Sequence, residues 1–306
     1  MNSKVYVVVV TFNPKRWLDK CLGSLRQSAI PVETIVVDNF SIDGSQEIVL
    51  SKYPEVELIQ SHTNMGFGKA NNLGIKKALE KGADYVFLLN QDAWINQDTI
   101  DKLVKLNEDE KGFGILSPIH LNGDGKLLDY QFNNYISDSD DEGRLLYSDL
   151  LLQRELKPIY AVDFVNAASW LLSKDVFNQV GYFDELFSHY GEDVNFSQRV
   201  KYNGCKIGVA PTCFIYHDRE ERRGKHTESF PVDYEYNNFL IEGLNPFNSQ
   251  FSVRKSIYSD VKSFLKSVIL LRMSRAGFYF RCYFKKRKVA DIIERRANRY
   301  SSSWKS

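Results

Sequence analysis

The sequence predicts an α/β protein: a mixed, mostly parallel sheet flanked by helices, followed by a basic, helical C-terminal extension. Three observations predict it. Apolar runs of strand length, at Val5–Val10, Thr34–Val37 and Tyr85–Leu89, alternate with stretches of helical periodicity. Runs without polar alternation belong to parallel strands buried on both faces. Each of the three ends in polar residues, Thr11-Phe12-Asn13, Asp38-Asn39 and Asn90-Gln91-Asp92, and ligands of open α/β sheets bind outside the carboxyl ends of the strands. Between Arg254 and Arg299, 14 lysines and arginines face three acids (Asp260, Asp291, Glu294), a local balance of +11 in a chain whose total is +1.

The elements follow in order. After the Val5–Val10 strand, Trp17–Gln27 has helical spacing through Leu18, Cys21, Leu22 and Leu25. The second strand is followed by a helix over Gly44–Lys52 and a short strand at Val56–Ile59. The glycine-bearing stretch Asn64–Gly74 leads into a helix over Ala70–Lys81, and Tyr85–Leu89 is the next strand. Strands alternating with helices argue for right-handed parallel connections. From Gly112 to about Lys157 the pattern loosens, and the acidic patch Asp138–Glu142 reads as a solvated loop. Val162–Leu172 resumes strand character around the small residues Asn166-Ala167-Ala168-Ser169, which leave room for a bound group. Short helices are expected at Val176–Val180 and from Gly191, with Glu192 and Asp193 in the first turn of the second. Cys205–Ala210 is a last strand, and Thr212–Tyr216 runs into His217.

Several polar residues admit both a structural and a chemical reading. Asp92 either turns the chain before a helix beginning near Asp98 or offers hard oxygens to a divalent cation that grips a phosphate. Asp38 either forms an Asx-turn or N-cap, with Ser41 and Asp43 following, or accepts hydrogen bonds from a base or ribose. Gly66 and Gly68 allow close backbone approach to a ligand, but the third glycine of a dinucleotide fingerprint and any Walker pattern are missing. Acids at a helix start gain from its dipole, so Glu192 and Asp193 also have a structural reading, as does the lone His217.

Composition limits the function classes. At 306 residues, 43% apolar and 26% charged, the chain is an ordinary globular protein of one large or two smaller domains. The near-neutral total, with an acidic first 253 residues, disfavours a nucleic-acid partner. Four scattered cysteines lack zinc-like spacing and read as reduced thiols. The N-terminus enters a strand directly instead of a signal peptide, and no apolar run approaches the ~20 residues that span a bilayer. These features imply a cytoplasmic protein, with the tail meeting the inner face of the cell membrane.

Taken together, the ordered motifs Val8–Asn13, Val37–Asp43, Asn64–Asn72, Leu88–Asp92 and Gly191–Asp193, followed by His217, are more specific than any member. The sequence resembles the family 2 glycosyltransferases of GT-A fold. Within them it looks most like the bacterial branch that builds O-antigen, capsule and related surface polysaccharides, rhamnosyltransferases included. The likeness spans roughly residues 4–245 and leaves the basic tail outside. It implies a catalytic domain over 1–229 and a helical region over 230–306.

The resemblance also implies roles. Thr11, Phe12 and Asn13 would line a nucleotide pocket, and Asp38 with Asn39 would contact base or ribose. Gly66, Phe67, Gly68 and Asn71 match the loop that closes over the nucleotide-sugar. Asn90-Gln91-Asp92 takes the place of the Asp-x-Asp metal motif, making Asp92 the ligand to Mg²⁺ or Mn²⁺; Asn90 departs from the acidic version. Asp193 matches the catalytic base with Glu192 beside it, and His217 matches a second metal contact. Asn166, Ala167, Ala168 and Trp170 match the segment bordering donor sugar and acceptor.

The implied reaction is inverting transfer from a UDP- or dTDP-linked sugar to a hydroxyl of a glycan or lipid-linked acceptor in surface-polysaccharide synthesis. One carboxylate takes the acceptor proton, and a divalent cation steadies the departing diphosphate. Two rivals share these residues. A sugar-phosphate nucleotidyltransferase also uses a strand-end Asp, but Thr11–Arg16 is a poor phosphate loop; an inactive nucleotide-sugar-binding partner subunit is suggested by Asn90. For the tail, apolar and aromatic residues beside cations suit a helix in an anionic membrane interface. A packed subdomain or a contact between copies of the chain is the other reading.

Overall fold

The computed structural model describes residues 3–139, 141–219 and 231–303. The first half is the expected alternation. It comprises β1 (Val5–Thr11), α1 (Leu18–Arg26), β2 (Glu33–Asp38), α2 (Ser45–Lys52), β3 (Glu57–Gln60), α3 (Phe67–Glu80) and β4 (Tyr85–Asn90). Strands β3, β2, β1 and β4 lie side by side and parallel. Alternate β1 residues feed opposite faces. Val5, Val7 and Val9 pack with Leu18, Leu22 and Leu25 of α1, while Tyr6 and Val8 pack with Ile75 and Ala78 of α3.

The second half holds more structure than its periodicity predicts. It comprises β5 (Ala93–Ile95), α4 (Thr99–Asp109), β6 (Phe113–Asn122), α5 (Tyr130–Ser137), α6 (Asp141–Leu151), β7 (Tyr160–Val162), β8 (Ser169–Ser173), α7 (Lys174–Val180), α8 (Glu192–Tyr202) and β9 (Lys206–His217). Where the pattern loosened, β6 runs ten residues through the centre of the sheet. Pro118, which cannot donate to a ladder, sits where its register against β9 shifts. The expected strand Val162–Leu172 is two strands, β7 and β8, joined by an irregular segment. The acidic patch is likewise not a free loop. Glu142 opens α6 and accepts from the Ala161 N–H, and Ser139 Oγ accepts from the Asp163 N–H; Asp140 lies outside the described residues.

Topology, more than composition, builds the crevice. β8 runs antiparallel between β4 and β6, and β5 runs antiparallel along the last residues of β9. These reversals bring the beginnings of β8 and β5 to the carboxyl ends of β4 and β9.

The tail is α9 (Pro231–Gly243), α10 (Val253–Ile269) and α11 (Met273–Ser303). Its inner face is a packed subdomain. Phe239, Leu240, Leu244, Ala290 and Ile293 close over Phe187, from the segment before α8. Asn195 of α8 donates to the Leu244 carbonyl (3.3 Å), Asn237 donates to the His189 carbonyl (2.7 Å), and Arg296 pairs with Asp184. Lys286, counted within the basic cluster, is buried and bridges Asp260 (3.1 Å) and Glu235 (2.9 Å). No described helix is long and apolar enough to cross a membrane. The boundary expected at 229–230 lies outside the described residues.

Candidate active site

Strand register assembles the site. Leu89 lies opposite Ser169, and the Asn90 N–H donates to the Ala168 carbonyl (2.9 Å), which places Asn166–Ser169 beside Asn90–Asp92. Ala93 lies opposite His217, and the Asp218 N–H donates to the Asp92 carbonyl (2.8 Å). Trp17, at the start of α1, fixes the far side by donating to Asp218 (3.0 Å).

Asp92 and His217 are both enclosed, with Asp92 Oδ1 3.3 Å from His217 Nε2. The other ring nitrogen, Nδ1, lies 3.7 Å from Asp129 Oδ2, and Arg219 Nε lies 3.6 Å from the same oxygen. Asp129 is itself fixed, because it caps α5 by accepting from the Phe132 N–H. Asn90 Nδ2 comes within 3.5 Å of His217 Nε2, while its Oδ1 is buried without a hydrogen-bond partner among the described residues. A buried amide oxygen left in this state beside a carboxylate and an imidazole is a donor set that suits a hard divalent cation. Among the described residues no three His, Cys, Asp or Glu side chains form a metal cage. A cation here would complete its shell from phosphate oxygens and water, as magnesium sites commonly do.

Asp193 stands in the first turn of α8, whose N-cap, Gly191, has φ +95°. Its carboxylate accepts from the Val194 N–H (2.9 Å) and receives a main-chain hydrogen bond from Ala167. Burial raises its pKa, although those N–H groups and the Arg219 charge oppose the rise. The result is a basic carboxylate held against the Asn166–Ala168 segment. Glu192 lies deeper, against the face where a Cβ on Gly68 would press on Phe183 and Glu192. Burial, and next the Asp193 charge, push its pKa up to about 7.

A carboxyl whose pKa is raised by folding destabilises the fold as pH climbs from the unfolded value, 4.5, through about 7. Glu192→Gln should therefore raise stability by about 3 kcal/mol at about pH 8 and change little at about pH 4. Thermal denaturation at the two pH values checks this; equal gains at both would refute the buried-carboxyl account.

The β1 and β2 ends are knitted more tightly than their sequence suggests. Asp38 accepts from Thr11 Oγ1 (3.0 Å), Gln46 Nε2 (2.6 Å), the Ser41 N–H (3.0 Å) and the Ser41 hydroxyl. Those four donors fill its acceptor sites, so contact with a base or ribose requires one to let go. Its geometry here is that of a local structural turn, closed by the Ser41 N–H three residues on. Asn13, at φ +51°, accepts from the Ile42 N–H, and its own N–H donates to Ser41. The Gln91 amide pairs in both directions with the Phe12 main chain. Asn39 is spanned by Asn64 and the Met65 N–H, and Asn71 donates to the Phe67 carbonyl. Phe12 is 45% exposed and Phe40, at φ +74°, 49% exposed. A bulky residue held in that conformation is unusual away from functional loops.

Gly66 is the least replaceable residue of this rim. At φ +84° and ψ 170° it occupies a region open essentially to glycine, and a Cβ there would collide with the Ser188 carbonyl. Gly66→Ala should cost about 3 kcal/mol or more in urea denaturation, combining backbone strain with overpacking. A loss under about 1 kcal/mol would show that the rim yields readily.

With the geometry in place, comparison with known proteins decides the family. The Glycosyl transferase family 2 model matches residues 6–180, more than half of the chain. The chain belongs to glycosyl transferase family 2. It is similar to the dTDP-rhamnosyl transferase RfbF of Shigella flexneri, with 28% identity over 278 residues, 87% of this chain and 88% of that protein. It is also similar to the N-acetylglucosaminyl-diphospho-decaprenol L-rhamnosyltransferase of Mycobacterium tuberculosis, at 26% identity over 249 residues, 75% of this chain and 80% of that one. Among solved structures, Staphylococcus aureus TarS 1–349 in complex with UDP superposes with a TM-score of 0.58 at 19% identity, covering 83% of this chain and 68% of that one. The shared architecture is the GT-A fold. Inversion at the transferred sugar is general to this glycosyltransferase family.

In this glycosyltransferase one expected site residue moves away from the chemistry. Trp170 is fully enclosed, with its indole donating to the Val165 carbonyl and its ring against Phe183 and Phe196. It points into the core because β8 alternates, so it supports the Asn166–Ala168 segment instead of touching an acceptor. Three site neighbours were not identified from sequence. Arg219 acts on Asp193 and reaches His217, Asp129 backs His217, and Tyr135 lies in the field of Asp193, Arg219 and Asp129. Arg219 carried a readable signal, as the cation two residues after a strand-end histidine. Asp129 and Tyr135 had none, since they belong to the stretch without clear periodicity.

Proposed function

We propose that the chain transfers a sugar from a UDP- or dTDP-linked donor to a hydroxyl of a glycan or lipid-linked acceptor in surface-polysaccharide synthesis. The observation carrying this reading is one crevice with two separate carboxylates. Asp193 is bonded to the Ala167 main chain and Asp92 is set on His217. The raised pKa of Asp193 suits it to take the acceptor proton as the sugar carbon leaves the diphosphate. Asp92 and His217, with Asn90 Oδ1 beside them, would hold Mg²⁺ or Mn²⁺, which supplies Lewis-acid stabilisation of the leaving diphosphate. The crevice supports that choice electrically: Arg219 is paired with Asp129 and acts on Asp193, while Asp92 is set on His217, and a diphosphate entering beside these carboxylates requires added positive charge. The rim carried by Phe12, Phe40 and Gly66–Gly68 would take the nucleoside.

The names of the two rhamnosyltransferases support a dTDP-sugar and a polyprenyl-linked acceptor. A lipid-linked acceptor fits a cytoplasmic enzyme working at the inner face of the membrane. Calorimetric titration with UDP, dTDP and GDP, each with and without Mn²⁺, tests the proposal. One nucleotide should bind in a metal-dependent way. Absence of binding by all three would overturn the nucleotide-sugar reading, and metal-indifferent binding would remove the Asp92–His217 role.

A further inference from the structure

We infer that the turn between α10 and α11 is a membrane-inserting tip that holds this glycosyltransferase on an anionic bilayer. Eight consecutive residues, Val268–Arg275, are exposed, and five of them are apolar. Leu271 is 84% exposed, Ile269 79% and Met273 65%. Single exposed apolar residues are ordinary, but a contiguous set marks an interaction surface.

The backbone of the turn adds to this. α10 ends in a Schellman closure, with the Arg272 N–H donating to the Ser267 carbonyl (2.8 Å) and the Leu271 N–H to the Val268 carbonyl (3.0 Å). The left-handed position of that motif normally takes glycine. Here it is Leu271, at φ +53°. The most exposed apolar residue of the turn is thus kept where a smaller residue would fit the backbone better.

Charge identifies the occupant. Lys262, Lys266, Arg272 and Arg275 flank the apolar turn, all exposed. The acid of α10, Asp260, is turned inward and neutralised by Lys286. The tip therefore presents cations without a facing carboxylate of its own helix. Two copies meeting tip to tip would set those cations against each other. An anionic lipid surface instead attracts them while accepting the apolar side chains. A helix-hairpin turn that projects its side chains can enter the acyl boundary without any spanning helix. The inference deepens the lipid-linked-acceptor reading and rests on it for its purpose, since tip and acceptor would share one surface.

Flotation of the full chain with phosphatidylcholine vesicles, with and without phosphatidylglycerol, tests it. The wild type should float only with the anionic vesicles. Leu271→Gly, which suits the backbone and preserves the turn, should weaken binding about tenfold or more, in line with the loss of a buried aliphatic side chain. The pair Arg272→Gln and Arg275→Gln should weaken it about 30-fold at low salt, since each cation near such a surface contributes roughly fivefold. Failure of the wild type to float, or flotation of Leu271→Gly equal to wild type, overturns the inference. So does a wild-type dimer in sedimentation that Leu271→Gly dissociates without any vesicle binding, which would assign the tip to a second copy. Nucleotide binding measured on the same samples separates the two readings. A chain that binds nucleotide but never floats loses the tip alone, whereas one that floats without binding nucleotide keeps the tip and loses the transfer reading.

Discussion

Asp193→Asn lowers kcat for sugar transfer by about 10²–10⁴-fold, the span typical of a positioned general base, while nucleotide affinity stays within about twofold of wild type. The change is nearly isosteric. The amide keeps an oxygen for the Val194 and Ala167 N–H groups that hold the carboxylate, so the α8 start should retain its shape. What disappears is the acceptor of a proton. The pH profile supplies a second readout: the limb of wild-type kcat that falls as pH drops reports deprotonation of this group, and its midpoint should lie above the ordinary aspartate range because burial raises the Asp193 pKa. Steady-state kinetics together with calorimetry on the variant check both. Activity within about tenfold of wild type would remove Asp193 as the base and leave Glu192 as the remaining carboxylate of that turn.

Asp92→Asn tests the other half of the crevice. It should abolish the metal-dependent part of nucleotide binding and reduce kcat/KM by about 10²-fold or more, equivalent to about 2.7 kcal/mol. The substitution keeps the volume of a fully enclosed side chain, so loss of fold is not the expected outcome; thermal denaturation of the same sample verifies that. It removes one negative charge beside His217 at 3.3 Å. Titration of nucleotide against Mn²⁺ concentration gives the decisive measurement. A variant with wild-type metal dependence would place the cation elsewhere. Asp129→Asn offers a graded control: it leaves Asp92 in place but weakens the support behind His217.

The parallel half of the sheet is legible in the sequence because β1, β2 and β4 are nearly continuous runs of β-branched, aliphatic or aromatic residues, and the motifs there fall at strand ends by construction. Asp92 could be singled out for that reason, whereas Asp193, in the first turn of a helix, stood out only through the family resemblance. Their partnership could not. It depends on β8 and β5 running antiparallel, and β5 is three residues long, too short to show a period. Asp38 shows a different limit. A sequence displays a carboxylate at a strand end, but Thr11, Ser41 and Gln46 lie three to 27 residues away, and only folding reveals that they fill its acceptor sites. Trp170 shows a third, since a residue beside a site motif on a strand points away from its neighbours. In the tail, composition conveyed amphipathic character, while the division into an inner packed face and an outer tip needed the helix pairing that buries Lys286.

The attachment of the tail to α8 bears on how such enzymes can exchange parts. The Asn195–Leu244 and Asn237–His189 hydrogen bonds, the Arg296–Asp184 pair and the apolar seal over Phe187 all cross the seam between the sheet domain and α9–α11. A hybrid made by joining this sheet domain to another enzyme's tail would break contacts two to nine residues from Asp193. Productive crossovers would carry residues 184–195 together with everything after 231. The unit of inheritance is then the α8 turn plus the C-terminal helices, and the parallel half of the sheet is the portion free to be traded.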